Sequence, residues 1–109
     1  MIVSTLRLLL SEADRARVIT SLTPLIAWTR LQPGCRVCHL LGDLDDPREI
    51  IVREEWDTQE DLDRHLRSED YRRILAAIEL SQEAPEIRFD TVVTMGGFEV
   101  VEAARKPQM

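Results

Sequence analysis

The chain has 109 residues, enough for one domain and too few for two of ordinary size. Apolar residues make up 44% of it and charged residues 31%, which is typical of a folded globular protein rather than a disordered one. The net charge of −6 argues against binding to nucleic acids or anionic membranes, which requires a basic face, so we expect neither as a partner.

The same counts bear on domain organisation and location. We expect a single domain over residues 1–104, followed by a frayed tail over residues 105–109. No stretch has the roughly 18–20 consecutive apolar residues of a membrane span, and the first seven residues do not resemble a signal peptide. We therefore expect a cytoplasmic protein, in which Cys35 and Cys38 remain reduced.

The first half of the chain predicts a strand, a helix and a second strand. Residues 2–10 are apolar and branched and predict a strand, and Ser11 is a helix cap. Apolar residues at three- and four-residue steps predict an amphipathic helix over residues 12–31. Pro24 predicts a kink or a restart capped by Thr23, since proline removes a helical hydrogen bond. Residues 35–44 predict the second strand.

The second half predicts a hairpin partner, a broken helix and two extended segments. Residues 49–56 predict a third strand, paired with the second. Thr58 caps a helix over about 59–81. Its apolar residues are spaced by three or four, except between Leu66 and Tyr71, where the spacing is five. A five-residue step rotates the face by ~140°, which predicts a break near Ser68. Residues 87–95 predict a fourth strand and residues 98–104 an extra one.

This order of elements predicts an α+β fold of the ferredoxin-like split βαβ type. Its four-stranded antiparallel sheet carries both helices on one face, and the extra strand follows at the C-terminus. Apolar side chains fall on both faces of the first strand, with Leu6 and Leu8 on one and Val3 and Leu9 on the other. The uncovered face predicts a homodimer packed sheet on sheet, with the extra strand reaching the partner.

Residues 51–68 resemble the antibiotic biosynthesis monooxygenase family. The similarity lies in a strand ending in Glu-x-Trp, a polar cap, and a helix that carries His-Leu-x-Ser: Glu54, Trp56, Thr58, His65, Leu66 and Ser68. The turn Gln32-Pro33-Gly34-Cys35 also matches the family pattern. The resemblance implies a dimeric α+β barrel with a pocket between sheet and helices. It also implies cofactor-independent oxidation of quinols or anthrones, or haem degradation.

The haem-degrading branch of that family is disfavoured by three positions. It carries tryptophan where His65 stands, its iron-ligating histidine where Leu75 stands, and asparagine where Leu6 or Arg7 falls. With those residues absent, we do not expect haem cleavage. We also expect no bound organic cofactor, since the sequence contains no phosphate-binding glycine loop and no flavin or nicotinamide fingerprint.

His65 is the principal catalytic candidate, because it lies beside the predicted buried stripe of its helix. It can accept a proton from a phenolic substrate, although that transfer is uphill by roughly 5 kcal/mol without help from the pocket. The alternative is a structural histidine bonded to a sheet carbonyl or to Glu54. Glu54 and Trp56 share a strand face and are the other catalytic candidates, to set the histidine tautomer and orient an oxygen. A core anchor is the alternative for Trp56.

Three further residues are candidates for substrate binding. Arg7 and Arg53 are charges within apolar strands and can steady an oxyanion, or can pair with Glu55, Asp90 or Glu86. Tyr71 can line the mouth of the pocket or be an ordinary half-buried aromatic residue.

The Cys35-x-x-Cys38 motif predicts no metal site, because no further pair of ligands accompanies it. It enters a strand rather than a helix, with the side chains expected on opposite faces, so we interpret both as buried thiols.

Together these features predict a cofactor-independent monooxygenase acting on a small aromatic substrate with O₂. The alternative is a non-catalytic dimeric module that binds a small molecule in the same fold.

Overall fold

The computed structural model describes residues 1–107, and residues 108–109 of the expected tail lie outside that range. The chain forms four strands and four helices in the order β1 (Ile2–Leu9), α1 (Glu12–Thr29), β2 (Cys35–Asp43), β3 (Asp46–Trp56), α2 (Gln59–Leu66), α3 (Glu69–Ala76), β4 (Glu86–Thr91) and α4 (Phe98–Arg105). A 3₁₀ turn over Ala77–Leu80 continues α3. No helix within residues 1–107 is long and apolar enough to cross a membrane.

The four strands form an antiparallel sheet in the order β2-β3-β1-β4. The first strand lies in the centre, where Leu6 pairs with Val52 of β3 on one side and with Ile87 of β4 on the other. This order is that of the split βαβ fold, so the α+β, ferredoxin-like prediction is confirmed.

The hydrophobic core lies between one face of the sheet and the helices. Leu8 and Ile50 of the sheet are 1% exposed, and they pack in one cluster with Leu22 of α1 and Ile74 of α3. The alternate side chains of each strand point to the opposite face of the sheet. The helices that contribute to the core do not cover that face. The prediction that both helices cover one face is confirmed.

Side-chain caps set the start of each core helix, as the sequence predicts. Ser11, Thr58 and Ser68 accept hydrogen bonds from backbone N–H groups three residues ahead, at 3.1–3.2 Å. The predicted break at Ser68 is confirmed, since α2 ends at Leu66 and α3 begins at Glu69. The Ser68 hydroxyl also donates to the carbonyl of His65 at 2.6 Å, which joins the end of α2 to the start of α3.

Of the kink or restart predicted at Pro24, the restart is wrong. Helix α1 continues through Pro24 to Thr29, and Thr23 does not cap a new helix. Instead the Thr23 hydroxyl donates to the carbonyl of Ile19 at 2.7 Å, one turn earlier. The buried residues Val18, Leu22 and Ile26 lie on both sides of the proline, so packing against the sheet holds the helix together despite the lost hydrogen bond.

The placement of Cys35 and Cys38 on opposite faces is also wrong. Cys35 pairs with Trp56 and Cys38 with Glu54, so both lie on the face covered by the helices. The register shifts between Cys35 and Val37, which is a β-bulge that inserts one residue into β2. That extra residue reverses the side-chain alternation once, and the two thiols come to the same side.

The C-terminal segment departs most from the prediction. Strand β4 ends at Thr91 rather than at residue 95, and residues 98–104 form part of helix α4 instead of an extra strand. No residue of α4 is buried. The radius of gyration is 16.7 Å, against about 13 Å for a compact chain of this length, because this segment projects from the domain. Within residues 1–107, residues 98–104 have no strand beside them to pair with. A helix satisfies its backbone hydrogen bonds within itself, whereas an isolated strand cannot.

Candidate active site

The three catalytic candidates are joined through the buried carboxylate of one of them, Glu54. Glu54 is 1% exposed, and its Oε1 accepts a hydrogen bond from the indole Nε1 of Trp56 at 3.0 Å. Its other oxygen, Oε2, lies 3.1 Å from Nε2 of His65. A buried carboxylate needs such donors, because an unpaired charge in the protein interior is costly. With Glu54 ionised, Nε2 of His65 carries the proton and donates it to the carboxylate.

The aromatic rings around His65 enclose it on two sides. The Trp56 ring stacks on the imidazole with centroids 4.8 Å apart and planes 28° apart. The Tyr71 ring meets it edge-on, with centroids 5.0 Å apart. Trp56 and Tyr71 therefore hold the imidazole ring between them.

Each side chain reaches this cluster because of local sequence signals. Glu54 and Trp56 are two residues apart on β3, so both point towards the helices. The Thr58 cap starts α2 directly after the strand, and His65 follows two turns later, three residues after the buried Leu62. The break at Ser68 then turns α3 so that Tyr71 and Ile74 face the core.

His65 and Trp56 line a small cavity of about 100 Å³ between the end of α1, helix α2 and the start of α3. Its other lining residues are Trp28, Thr29, Gln32, Pro33, Asp61, Arg64, Ser68 and Asp70. None of the buried side-chain nitrogen or oxygen atoms within residues 1–107 lacks a hydrogen-bond partner. His65 lines the cavity and its Nε2 is bound by Glu54, which leaves Nδ1 as the ring nitrogen that Glu54 does not occupy.

The cavity is small compared with typical ligand sites, which enclose about 300–1,000 Å³. Its volume is that of a few water molecules, at roughly 30 Å³ each. A diatomic gas, a peroxide or the edge of one aromatic ring fits this space. A larger substrate needs the mouth to open.

Burial and the nearby Glu54 carboxylate raise the pKa values of three other groups near the site. Burial, and next the charge of Glu54, raise the pKa of Tyr71 to about 12, so this phenol remains protonated at neutral pH. The same two causes raise the pKa of Cys35 to about 11 and that of Cys38 to about 12. Neither thiol is a thiolate near neutral pH, and neither is a ready nucleophile.

The structure places Tyr71 beside His65 and away from the cavity wall. Its side chain is buried in the core cluster, and it is not among the residues that line the cavity. The break at Ser68 turns the Tyr71 ring inwards, so its contact with the site is the edge of its ring against His65.

Arg7 and Arg53 lie on the opposite face of the sheet from His65. Arg7 pairs with Ile51 and Arg53 with Thr5, both on the face that no core helix covers. Arg7 binds Glu49 at 2.5 Å and Arg53 binds Glu55 at 2.7 Å. The ion pair of Arg53 with Glu55 is one of the predicted alternatives, whereas Arg7 takes a partner that the sequence did not suggest.

Sequence reasoning missed the residues at the mouth of the cavity. Trp28 is 56% exposed and lies off the buried stripe of α1, and Gln32 follows one turn later. Arg64 binds Asp61 at 3.0 Å, one turn earlier on α2, and both residues line the cavity. A large aromatic residue outside an apolar stripe is the one signal in the sequence that pointed to this position.

The family model for antibiotic biosynthesis monooxygenases matches residues 1–77 of the chain. The chain belongs to the antibiotic biosynthesis monooxygenase family. The match covers β1 to α3 and so includes every residue of the cluster around His65. The predicted family is confirmed, and a monooxygenase at the level of the family is the assignment that follows.

Solved structures of other proteins share the fold of this family member. One, described as an antibiotic biosynthesis monooxygenase, is 21% identical with a TM-score of 0.75, covering 86% of this chain and 100% of its own. Rv0793 from Mycobacterium tuberculosis is 21% identical with a TM-score of 0.76, covering 88% and 98%. PA3566 from Pseudomonas aeruginosa is 19% identical with a TM-score of 0.72, covering 85% and 94%. No curated protein matches the chain significantly.

Proposed function

We propose that this protein is a cofactor-independent monooxygenase that oxidises a quinol or an anthrone-like aromatic substrate with O₂. The observation that carries the proposal is the buried Glu54 carboxylate, which holds Nε2 of His65 at the wall of a cavity. This arrangement presents a base of fixed tautomer to a small enclosed space. The family to which the chain belongs supplies the reaction class.

His65 acts first, as the base that takes the phenolic or enolic proton of the substrate through Nδ1. The charge that then forms on the imidazole is balanced by Glu54 at 3.1 Å and by the stacked indole of Trp56. Both partners are buried and already oriented, so their interaction with the cation requires little reorganisation. They supply part of the roughly 5 kcal/mol that separates a phenol from a histidine.

The electron-rich anion then reacts with O₂, and the substrate itself supplies the electrons. One electron passes to O₂, the two radicals combine, and the resulting peroxide collapses. For an anthrone-like CH₂ group, the carbon loses two hydrogens and gains one oxygen atom as a carbonyl. The second oxygen atom leaves with those two hydrogens as water, which balances the reaction without another reductant.

Substrate access in this proposal depends on the cavity mouth. The enclosed volume of about 100 Å³ takes O₂ and the reacting edge of one ring, so the rest of a polycyclic substrate extends past Trp28 and Gln32. Trp28 is exposed and provides a flat apolar surface for such a ring. The ion pair between Arg64 and Asp61 borders the same opening.

We also propose that the protein acts as a homodimer in the cytoplasm. The uncovered face of the sheet carries Ile51 and Leu41 side by side in register, and α4 projects with its apolar residues exposed. A second copy packed on this face buries both features. The free thiols Cys35 and Cys38 are consistent with a reducing compartment.

The experiment that tests the activity is oxygen uptake by metal-stripped protein offered a panel of quinols and anthrones. His65→Gln keeps an amide that can donate to Glu54 but removes the base, so uptake falls to the autoxidation rate. The matched control is His39→Gln, because His39 is the other histidine and lies exposed on β2. Equal uptake by both variants contradicts the role of His65.

Binding measured in parallel separates the enzyme from the non-catalytic binding module. If the substrate binds to both the wild type and His65→Gln but oxygen uptake is lost only in the variant, the protein is a monooxygenase. Substrate that binds without any uptake by the wild type supports the binding module.

A further inference from the structure

A second and larger cavity lies between α1 and α3, away from His65. It is a groove open to solvent with a volume of about 560 Å³, within the usual range for small-molecule sites. Helix α1 contributes Val18, Ser21, Leu22, Pro24 and Leu25, and α3 with its 3₁₀ turn contributes Arg73, Ala76, Ala77 and Leu80. No residue is shared with the lining of the cavity at His65, so the two are separate sites.

Small side chains leave this groove open between the two helices. Its lining includes Ser21 of α1 and Ala76 and Ala77 of α3 and its 3₁₀ turn, where larger side chains would fill the space between the helices. Val18, Leu22 and Ala77 are buried and form an apolar floor. The floor therefore favours an alkyl chain or an aromatic ring.

Arg73 is the single charged residue of the lining, and it has no ion-pair partner within residues 1–107. Its neighbour Arg72 differs, since it binds Glu69 at 3.0 Å and does not line the groove. A guanidinium beside an apolar groove matches a carboxylate that carries an apolar body, because its paired N–H groups bind both carboxylate oxygens.

We infer that the groove between α1 and α3 binds an amphipathic monocarboxylic acid, with its apolar body on the floor and its carboxylate on Arg73. The site is independent of the reaction proposed at His65. The protein carries a net charge of −6, so an anion approaches this position because of the local charge of Arg73 and not because of the overall field.

Isothermal titration calorimetry of the full chain with octanoate and octan-1-ol tests the inference. We expect octanoate to bind the wild type more tightly than the alcohol. Arg73→Gln weakens octanoate binding by about fivefold to tenfold and leaves octanol unchanged, since only the charged contact is lost. Arg72→Gln, the matched control, leaves both affinities unchanged. Ala76→Phe fills the groove from a surface position and weakens both ligands.

Several results overturn the inference. No binding of octanoate to the folded wild type does so, as does equal loss in the Arg72 and Arg73 variants. Unchanged affinity in Ala76→Phe places the ligand elsewhere. An octanoate affinity that falls as the protein concentration rises shows that another copy of the chain occupies the groove instead. Circular dichroism of each variant verifies that it is folded.

Discussion

The carboxylate of Glu54 lies 3.1 Å from Nε2 of His65, and both side chains are at least 95% enclosed by the protein. The two residues are 11 positions apart and belong to a strand and the helix that follows it. The Trp56 indole completes the arrangement by donating to the second carboxylate oxygen. This relationship fixes which nitrogen of His65 is bound by Glu54.

Glu54→Gln reverses the hydrogen bond to His65, because the Trp56 indole N–H retains the amide oxygen and the amide nitrogen, a donor, then faces Nε2. His65 then accepts at Nε2 and carries its proton at Nδ1, which removes the base from the cavity. We expect oxygen uptake to fall about 100-fold, the scale seen when a residue that orients a functional histidine is lost. Steady-state kinetics and ¹⁵N shifts of the imidazole measure the two effects.

The control for that variant is Glu55→Gln, one residue further along β3. Its side chain lies on the opposite face and binds Arg53. Uptake should remain at the wild-type level there. Comparable losses in both variants would show that the Glu54 effect is not specific to the histidine.

Trp28 should report on ligands that enter the cavity at His65. The chain has two tryptophans, of which Trp28 is 56% exposed at the mouth and Trp56 is buried beneath. We expect an aromatic ligand to quench the emission of the wild type and to shift it to shorter wavelength, since it excludes water from Trp28. Trp28→Phe should lose that shift. If Trp28→Phe retains the full response, the ligand does not enter past this residue.

Gly34 is required at the turn before β2. Its φ is +80°, and a Cβ at this position would lie 2.1 Å from Oδ2 of Asp61, which borders the cavity. We therefore expect Gly34→Ala to lower the free energy of unfolding by about 1–3 kcal/mol. Gly97→Ala is the control, because its φ is −116° and its nearest contact is the flexible end of Glu99. Urea denaturation compares the two, and equal losses would contradict the role of the turn.

The free energy of unfolding should decrease at alkaline pH because of the buried thiols. The pKa of Cys38 is about 12 in the folded protein against an ordinary value of 9.0, so folding favours the protonated form. That contribution is complete below pH 9 and is lost as the pH rises towards 12, by about 1.4 kcal/mol per unit for this thiol. Denaturation of the wild type and of Cys38→Ala at pH 8, 9 and 10 measures it.

In Cys38→Ala the decrease with pH should be shallower, and the remaining slope comes from Cys35 and Tyr71, whose pKa values are also raised. An identical slope in the two proteins would show that Cys38 does not contribute.

The proposed homodimer predicts a mass of two subunits in light scattering. Ile51 lies between Arg7 and Leu41 on the uncovered face of the sheet, so Ile51→Lys places an unpaired charge in the interface and should give a monomer. Leu44→Lys is the control, because Leu44 is fully exposed in the turn between β2 and β3. A wild-type monomer, or a dimer that survives Ile51→Lys, contradicts packing through this face.

The elements whose signals are local could be predicted from the sequence. Ser11, Thr58 and Ser68 each mark a helix start, and the five-residue slip between Leu66 and Tyr71 marks the break between α2 and α3. Caps and periodicity act over one or two turns, so the residues themselves determine them. The alternation of side chains along β3 likewise predicted that Glu54 and Trp56 lie on one face.

The tertiary structure decided what depends on residues distant in sequence. The bulge in β2 is set by pairing with β3, and it moved Cys35 to the side of Cys38. Residues 98–104 have no neighbouring strand, so the valine-rich segment forms α4 rather than extending the sheet. The burial of Glu54 between Trp56 and His65, and the presence of Trp28 at the cavity mouth, follow from how α1 and α2 pack on the sheet. Hydrogen-bond register and packing are long-range properties, and no local pattern encodes them.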